Sequence, residues 1–296
     1  SDAIDGFVRL FILPTGVTDK PAAERAAGLR MATITGDEEW ASPTSIKTLT
    51  LEHRMAAARM GFLEMFVPLY EVGSWRTSLL EGTLPAEHFF TEHVLPLVKA
   101  AQGEDRFAVA RITKALSPLL TPEAMRAAED KKAQLQKATV AIDLLMALWQ
   151  DGADPTLLDV LRCVARSKLL AIPESLQANA FRDETTDRAD PPTEGPEDRQ
   201  SERADAIDKF LNAPFSQVEP FATYLTGKAH FDTHQGVKGL EFDRVMVIMD
   251  DEEARGFLFK YEDLFGGKAT GDKTVESTRR LFYVTLSLIH ISEPTR

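Results

Sequence analysis

An α/β fold built on a parallel sheet and interrupted by an all-helical stretch is what this sequence predicts, on three observations. Short apolar or β-branched runs alternate with helical patterns over the first 60 or so residues. From Trp75 to Leu170 the alternation gives way to helical periodicity. Near the far end Val245-Met246-Val247-Ile248-Met249, bounded by Arg244 and Asp250, is continuously apolar, as a central parallel strand buried on both faces requires.

Taken in order, Phe7 to Leu13 reads as a strand stopped by Pro14 and Gly16. A helix is expected from about Pro21 to Ile34, with Pro21 preset for its first turn and Gly36 beyond its end. Ser45 to Leu51, with Ile46, Thr48 and Thr50 in alternation, reads as the next strand. It runs into Glu52 to Met60, whose alanines and methionines favour a helix. Ile142, Leu145, Met146 and Trp149 stand at i, i+3, i+4 and i+7, one stripe on a helix over roughly 123–150, with Thr121 as its cap. Lys131, Lys132 and Lys137 read as its solvated face. A second helical stretch covers Pro155 to Leu170 and carries Arg162, Arg166 and Lys168. Residues 183–205 hold nine carboxylates and three arginines with almost no apolar side chains, so burial cannot offset the entropy of ordering them, and a flexible linker is expected. Ile207 to Tyr224 reads as short helices broken by Pro214 and Pro220.

Composition narrows the partners. The formal charge is -12, from 46 acidic and 34 basic residues, so any nucleic-acid contact has to come from a local positive groove. The single cysteine, Cys163, rules out an intramolecular disulfide, and its neighbours Leu161 and Val164 suit a buried thiol. Apolar runs fall well short of the roughly 20 residues that span a bilayer, and the start has no basic segment ahead of an apolar core. A cytoplasmic protein with no membrane partner is expected.

The segment with most chemistry is Phe231 to Asp243, which sets a hydroxyl, an imidazole, two glycines, an ammonium and a carboxylate in one short connection ahead of the Val245 run. Taken singly each has a plain reading: Gly236 and Gly239 as turn residues, Lys238 as a surface lysine, His234 as a packed or solvent-facing histidine, Asp232 and Thr233 as helix caps. Together, Thr233-His234-Gln235-Gly236-Val237-Lys238-Gly239-Leu240-Glu241-Phe242 closely resembles motif V of superfamily 1 helicases of the UvrD/Rep/PcrA type. That resemblance implies that Thr233 and His234 touch single-stranded DNA, that Lys238 sits at the junction, and that Gly239 and Glu241 lie near the ATP site. Thr and Lys donors would hold phosphate oxygens without reading bases.

Farther on, Glu276-Ser277-Thr278-Arg279-Arg280-Leu281-Phe282-Tyr283-Val284-Thr285-Leu286-Ser287 resembles helicase motif VI. The resemblance makes Arg280 the catalytic guanidinium that reaches the γ-phosphate across a cleft between two motor domains, in the manner of an arginine finger. Standing alone, the same pair would be surface arginines on an amphipathic helix. Lys47 to Arg54 looks like the strand and basic helix start that precede the helical insertion in these enzymes, which brings Arg54 or Arg59 toward nucleotide or DNA.

The fold so implied is a RecA-like parallel-sheet motor domain (2A) over 1–75 and 229–287, interrupted by an all-helical 2B-like insertion over 76–228 with its acidic linker at 183–205. The remainder, 288–296, departs from the family pattern after Ser287 and reads as a non-native tail, leaving the domain incomplete at the C-terminus. The function implied is the C-terminal portion of an ATP-dependent 3′–5′ DNA helicase, coupling hydrolysis to movement on a single strand or a single/double-strand junction. Its cofactors are ATP and Mg²⁺, and its partners are the first motor domain of the same polypeptide and, in some assemblies, a nuclease. No G-x-x-x-x-G-K-[ST] phosphate loop occurs in the 296 residues, so the chain by itself is expected to bind no cofactor and to be inactive. Asp250-Asp251-Glu252-Glu253 reads as a solvated acidic turn, and no metal site is expected. The alternative is a non-catalytic DNA-binding or regulatory module of a nuclease or defence assembly. In the helicase reading Arg280 and Glu241 are expected to line the same open wall.

Overall fold

The computed structural model describes residues 7–14, 16–182, 197–233, 237, 240–255, 259–266 and 272–286. The chain forms a mixed α/β unit, Ser1–Met60 with Thr226–Arg296, and a helical unit, Gly61–Leu225. Among the described residues no helix is long and apolar enough to cross a membrane.

The α/β unit holds three parallel strands, β1 (Lys47–Thr50), β2 (Phe231–Thr233) and β3 (Val245–Val247), in the order β2-β1-β3. Leu49 stands opposite Asp232 on one side and Val247 on the other. The central strand is therefore β1, while Val245–Val247 lies at an edge of the described sheet, half-buried and shorter than expected. Its unbroken apolar character has a different cause. Val245 and Val247 pack with Leu49, Val237 and Phe242 on one face, whereas Met246 turns to the other, beside Gly28 of the helix Lys20–Thr35.

That helix matches expectation. Asp19 accepts the Ala22 N–H at its start, Pro21 lies in the first turn, and Gly36, at φ 72°, closes the end onto the Ala32 carbonyl. A second helix, His53–Met60, follows β1 directly. Beyond the carboxyl ends of β1 and β3, Leu51, Met55, Ala254, Phe259 and Tyr261 form a cluster that Ile248, Met249, Leu264, Leu281 and Phe282 complete. This cluster seats the helices Tyr261–Gly266 and Lys273–Leu286. Phe7 to Leu13 forms no strand and is exposed throughout. A β-rich apolar run measures fitness for a pleated, half-buried surface, and no described strand offers this one a partner.

The helical unit is organised around aromatic side chains. Phe62 contacts Phe66, Phe221 and Tyr224, with ring centroids 5.3–5.8 Å apart, and Phe90 meets Phe210 edge-on. Residues 61–75, expected with the sheet, pack here through Met65, Phe66 and Leu69. The helix expected over 123–150 is two, Pro122–Ala127 and Lys131–Met146. Thr121 caps the first, and Asp130 starts the second afresh by accepting the Lys132 and Ala133 N–H groups. Leu145 of the expected stripe is buried, and Trp149 lies beyond the helix in a tight turn against Phe215. Leu157–Ser167 begins with a reciprocal capping box between Thr156 and Asp159. Cys163 on it is half-buried, and burial pushes its thiol pKa up.

The part of the expected linker that is described, 197–205, is helical. Residues 183–196 lie outside the described residues, but Glu197–Leu211 is a helix that packs on Leu63–Glu71. Ala206, Ile207, Phe210 and Leu211 are buried, and this apolar end anchors the charged start. Pro220 does not break a helix. It falls in the first turn of Val218–Leu225, where a missing N–H costs nothing.

Candidate functional site

Open parallel sheets bind ligands beyond the carboxyl ends of their strands. Three of the expected site residues lie at that end. Thr233 closes β2, Arg54 sits in the first turn of the helix after β1, and the helix carrying Arg280 packs its Leu281 and Phe282 onto the cluster there. Their presentation differs. Arg280 and its neighbour Arg279 are exposed, because Val275 and Thr278 take the inward face of the helix. Arg54 is half-exposed. None of these three guanidinium groups has a carboxylate partner among the described residues, so an anion would meet them without displacing an ion pair. Thr233, in contrast, is 6% exposed, and its side chain points into the unit rather than onto an open surface. His234, Lys238 and Gly239 lie outside the described residues.

Glu241 is at the opposite end. It lines a cleft of about 560 Å³ formed by residues 44–47, 227–230 and 241–244, at the amino ends of all three strands. The chain passes from the carboxyl end of β2 to the amino end of β3, and Val237, fully buried against Leu49, marks where it crosses the sheet face. A parallel crossover separates the two ends of one short motif in this way. The structure therefore does not gather Glu241 and Arg280 on one wall.

Two of the cleft's cations are paired. Lys47 is 9% exposed at its side chain; its Nζ donates to the Ala229 carbonyl at 2.9 Å and to Asp232 at 3.2 Å, and lies 5.5 Å from the Phe242 ring centroid. Arg244 forks onto Asp37 at 2.6 and 3.1 Å, which holds the Asp37 carboxyl below its usual range. His230 is kept neutral over a wider range than usual, because burial and then the Lys47 charge both push its pKa down. In the sequence Lys47 stood out only as the first residue of the stretch Lys47 to Arg54, with nothing local to mark its partner Asp232.

The acidic turn, expected to be solvated, is so only in part: Glu252 is exposed, while Asp250 and Glu253 are half-buried and paired. Asp250 accepts from Lys20 at 2.5 Å, and Glu253 pairs with Arg59, whose side chain is 5% exposed and also binds Glu24. Arg59 is thereby a structural clamp, with no donor left over for nucleotide or DNA. Asp251 Oδ1 and the Tyr261 hydroxyl are buried nearby without partners among the described residues. Burial, and then the Asp251 charge, pushes the Tyr261 pKa up, so this phenol stays protonated. Among the described residues no three His, Cys, Asp or Glu side chains gather to hold a metal ion. Comparison with protein-family models, with curated proteins and with solved structures finds no match to this chain.

Proposed function

We propose that the chain is the C-terminal portion of an ATP-dependent 3′–5′ DNA helicase of the cytoplasm, a RecA-like 2A motor domain carrying a 2B-like helical insertion. One observation carries the reading: Arg280 stands exposed and without a carboxylate partner on a helix anchored at the carboxyl ends of a parallel sheet. A guanidinium held there by packing is placed to offset charge on a phosphoryl group supplied by a second domain. The likeness of 276–287 and 233–242 to motifs VI and V supports the same reading. Arg54, half-exposed at the same end, serves as a second phosphate contact. Glu241 has no part at the nucleotide in this reading, and the DNA contact falls to His234 and Lys238.

Joined to a first motor domain that brings ATP and Mg²⁺, the chain is expected to support ATP hydrolysis stimulated by single-stranded DNA. Arg280→Ala should then lower turnover by about a thousandfold, the scale of an arginine finger, and leave single-strand affinity unchanged. Turnover equal to the parent's would remove Arg280 from the chemistry. Single-strand binding with no stimulated hydrolysis would favour a non-catalytic binding or regulatory module.

A further inference from the structure

We infer that the outer face of the helix Arg106–Leu116 binds single-stranded nucleic acid, with Phe107 as a stacking platform and Arg111 and Lys114 as phosphate contacts. The inference stands apart from the helicase reading, since it concerns the helical unit alone and uses none of the residues discussed above. The helix is amphipathic. Thr113 is buried and Val109, Ile112 and Leu116 are half-buried on one side, while Phe107, Ala110, Arg111 and Lys114 are exposed on the other. At 100° per residue, Phe107, Arg111 and Lys114 fall within an arc of roughly 60°.

Phe107 is the anomaly. It is 82% exposed, and among the large apolar side chains of the described residues only Ile12, at 83%, is more open. A phenyl ring set opposite the buried face gains nothing from folding. The helix is also basic. The helix RFAVARITKAL contains no acidic residue, in a chain of net charge -12. Arg106, Arg111 and Lys114 have no ion-pair partner among the described residues, as is also true of the exposed Lys131, Lys132 and Lys137, so an anion would meet them without displacing a carboxylate. Of the two carboxylates just before the helix, Asp105 is engaged at its start by the Ala108 N–H, and Glu104 is exposed.

A bare ring followed one turn later by a guanidinium matches the two parts of a nucleotide. The ring offers a face to a base of any sequence, and the cations hold the backbone. An anionic membrane would use the cations but needs more apolar area than one phenyl ring supplies. An acidic peptide would leave Phe107 without a role.

The test is titration of the full chain with a fluorescently labelled oligothymidine over a range of salt. Phe107→Ala should weaken binding by about tenfold or more, on the scale of one lost stacking contact, and Phe107→Trp should bind at least as well as the parent. Replacing Arg111 and Lys114 together by Ala should flatten the log-affinity against log-salt slope by about 1.4, since each phosphate neutralised on a single strand contributes about 0.7. All three positions are exposed, so the fold should survive. The inference is overturned if the parent fails to bind, if Phe107→Ala binds as the parent does, or if phosphatidylserine vesicles or polyglutamate show the Phe107 dependence and the oligonucleotide does not. Failure of the helicase reading is registered separately, in Arg280-dependent turnover.

Discussion

Arg59 and Glu253 meet fork to fork, Nη1 to Oε1 at 2.7 Å and Nη2 to Oε2 at 3.0 Å, joining the helix after β1 to the turn after β3. The same guanidinium binds Glu24 through Nε and Nη2 and the Met55 carbonyl through Nη1. Burial works to lower its pKa, and the hydrogen bonds to Glu253 and Glu24 outweigh that, so the charge is held more firmly than in water. Removing one partner of a buried pair leaves the others uncompensated, at a cost of about 3 kcal/mol. Arg59→Ala is expected to destabilise the chain by that amount in urea unfolding. Arg59→Lys keeps the charge but loses the two-pronged geometry, and should fall between the two. A loss below about 1 kcal/mol for Arg59→Ala would show that water relieves the stranded carboxylates.

Gly28 gives a prediction in which the usual sign reverses. Gly to Ala inside a helix normally stabilises by about 1 kcal/mol. Here a Cβ would lie 2.7 Å from the Trp40 carbonyl oxygen, with Ile46 and Met246 close by on the sheet. The carbonyl belongs to backbone and cannot swing aside as a side chain would. Gly28→Ala is therefore expected to lower the unfolding midpoint, with a net loss of about 1–3 kcal/mol. A stabilised variant would mean that the turn around Glu38–Ala41 yields easily.

Lys47 and His230 are coupled across the amino-end cleft. Burial lowers the His230 pKa first, and the Lys47 charge lowers it further. Lys47→Met removes the second cause and also frees Asp232, which Lys47 now neutralises. Both changes favour the imidazolium, so the His230 pKa should rise, as a ring-proton NMR titration would record. No change, or a fall, would mean that burial alone sets this group.

Local signals were legible in the sequence wherever the cause is local. Pro21 and Gly36 bound the first helix because capping depends on a few neighbouring residues. The strand at Lys47–Thr50 and the helix after it followed from alternation and propensity. What escaped was set by distant partners. Phe7 to Leu13 has strand composition, but pairing depends on which edges are open. The break at Ala128–Asp130 escaped because the stripe Ile142 to Trp149 lies wholly beyond it and says nothing of where the helix begins, although Asp130 was a readable cap. Glu241 and Arg280 share a likeness to neighbouring helicase motifs, yet a parallel crossover sends the first to the amino ends of the strands and packing seats the second at the carboxyl ends. The clamp of Arg59 on Glu24 and Glu253 spans separations of 35 and 194 residues, which no local pattern encodes.

Glu87 gives the helical unit a dependence on pH. It is the third residue of the helix Pro85–His88, and its carboxylate interacts with the backbone of Leu84, the capping position, while the Thr91 hydroxyl donates to Oε2 at 3.3 Å. The side chain is fully buried, and Oε1 has no partner among the described residues. Burial dominates these bonds and pushes the pKa up from 4.5 to about 8, with Glu92 adding to the shift. The folded chain therefore keeps a proton that the unfolded chain releases. Below pH 4.5 both states hold it and nothing is lost; between 4.5 and 8 stability falls as pH rises; above 8 both states are ionised and the full penalty stands. The slope from this group approaches about 1.4 kcal/mol per pH unit inside the window. Glu87→Gln keeps the backbone cap and cannot ionise. Its advantage over the parent in urea unfolding should be near zero at pH 4, grow through neutrality and level off above pH 8. A constant difference at every pH would show that Glu87 stays ionised inside the fold, held by a donor to Oε1.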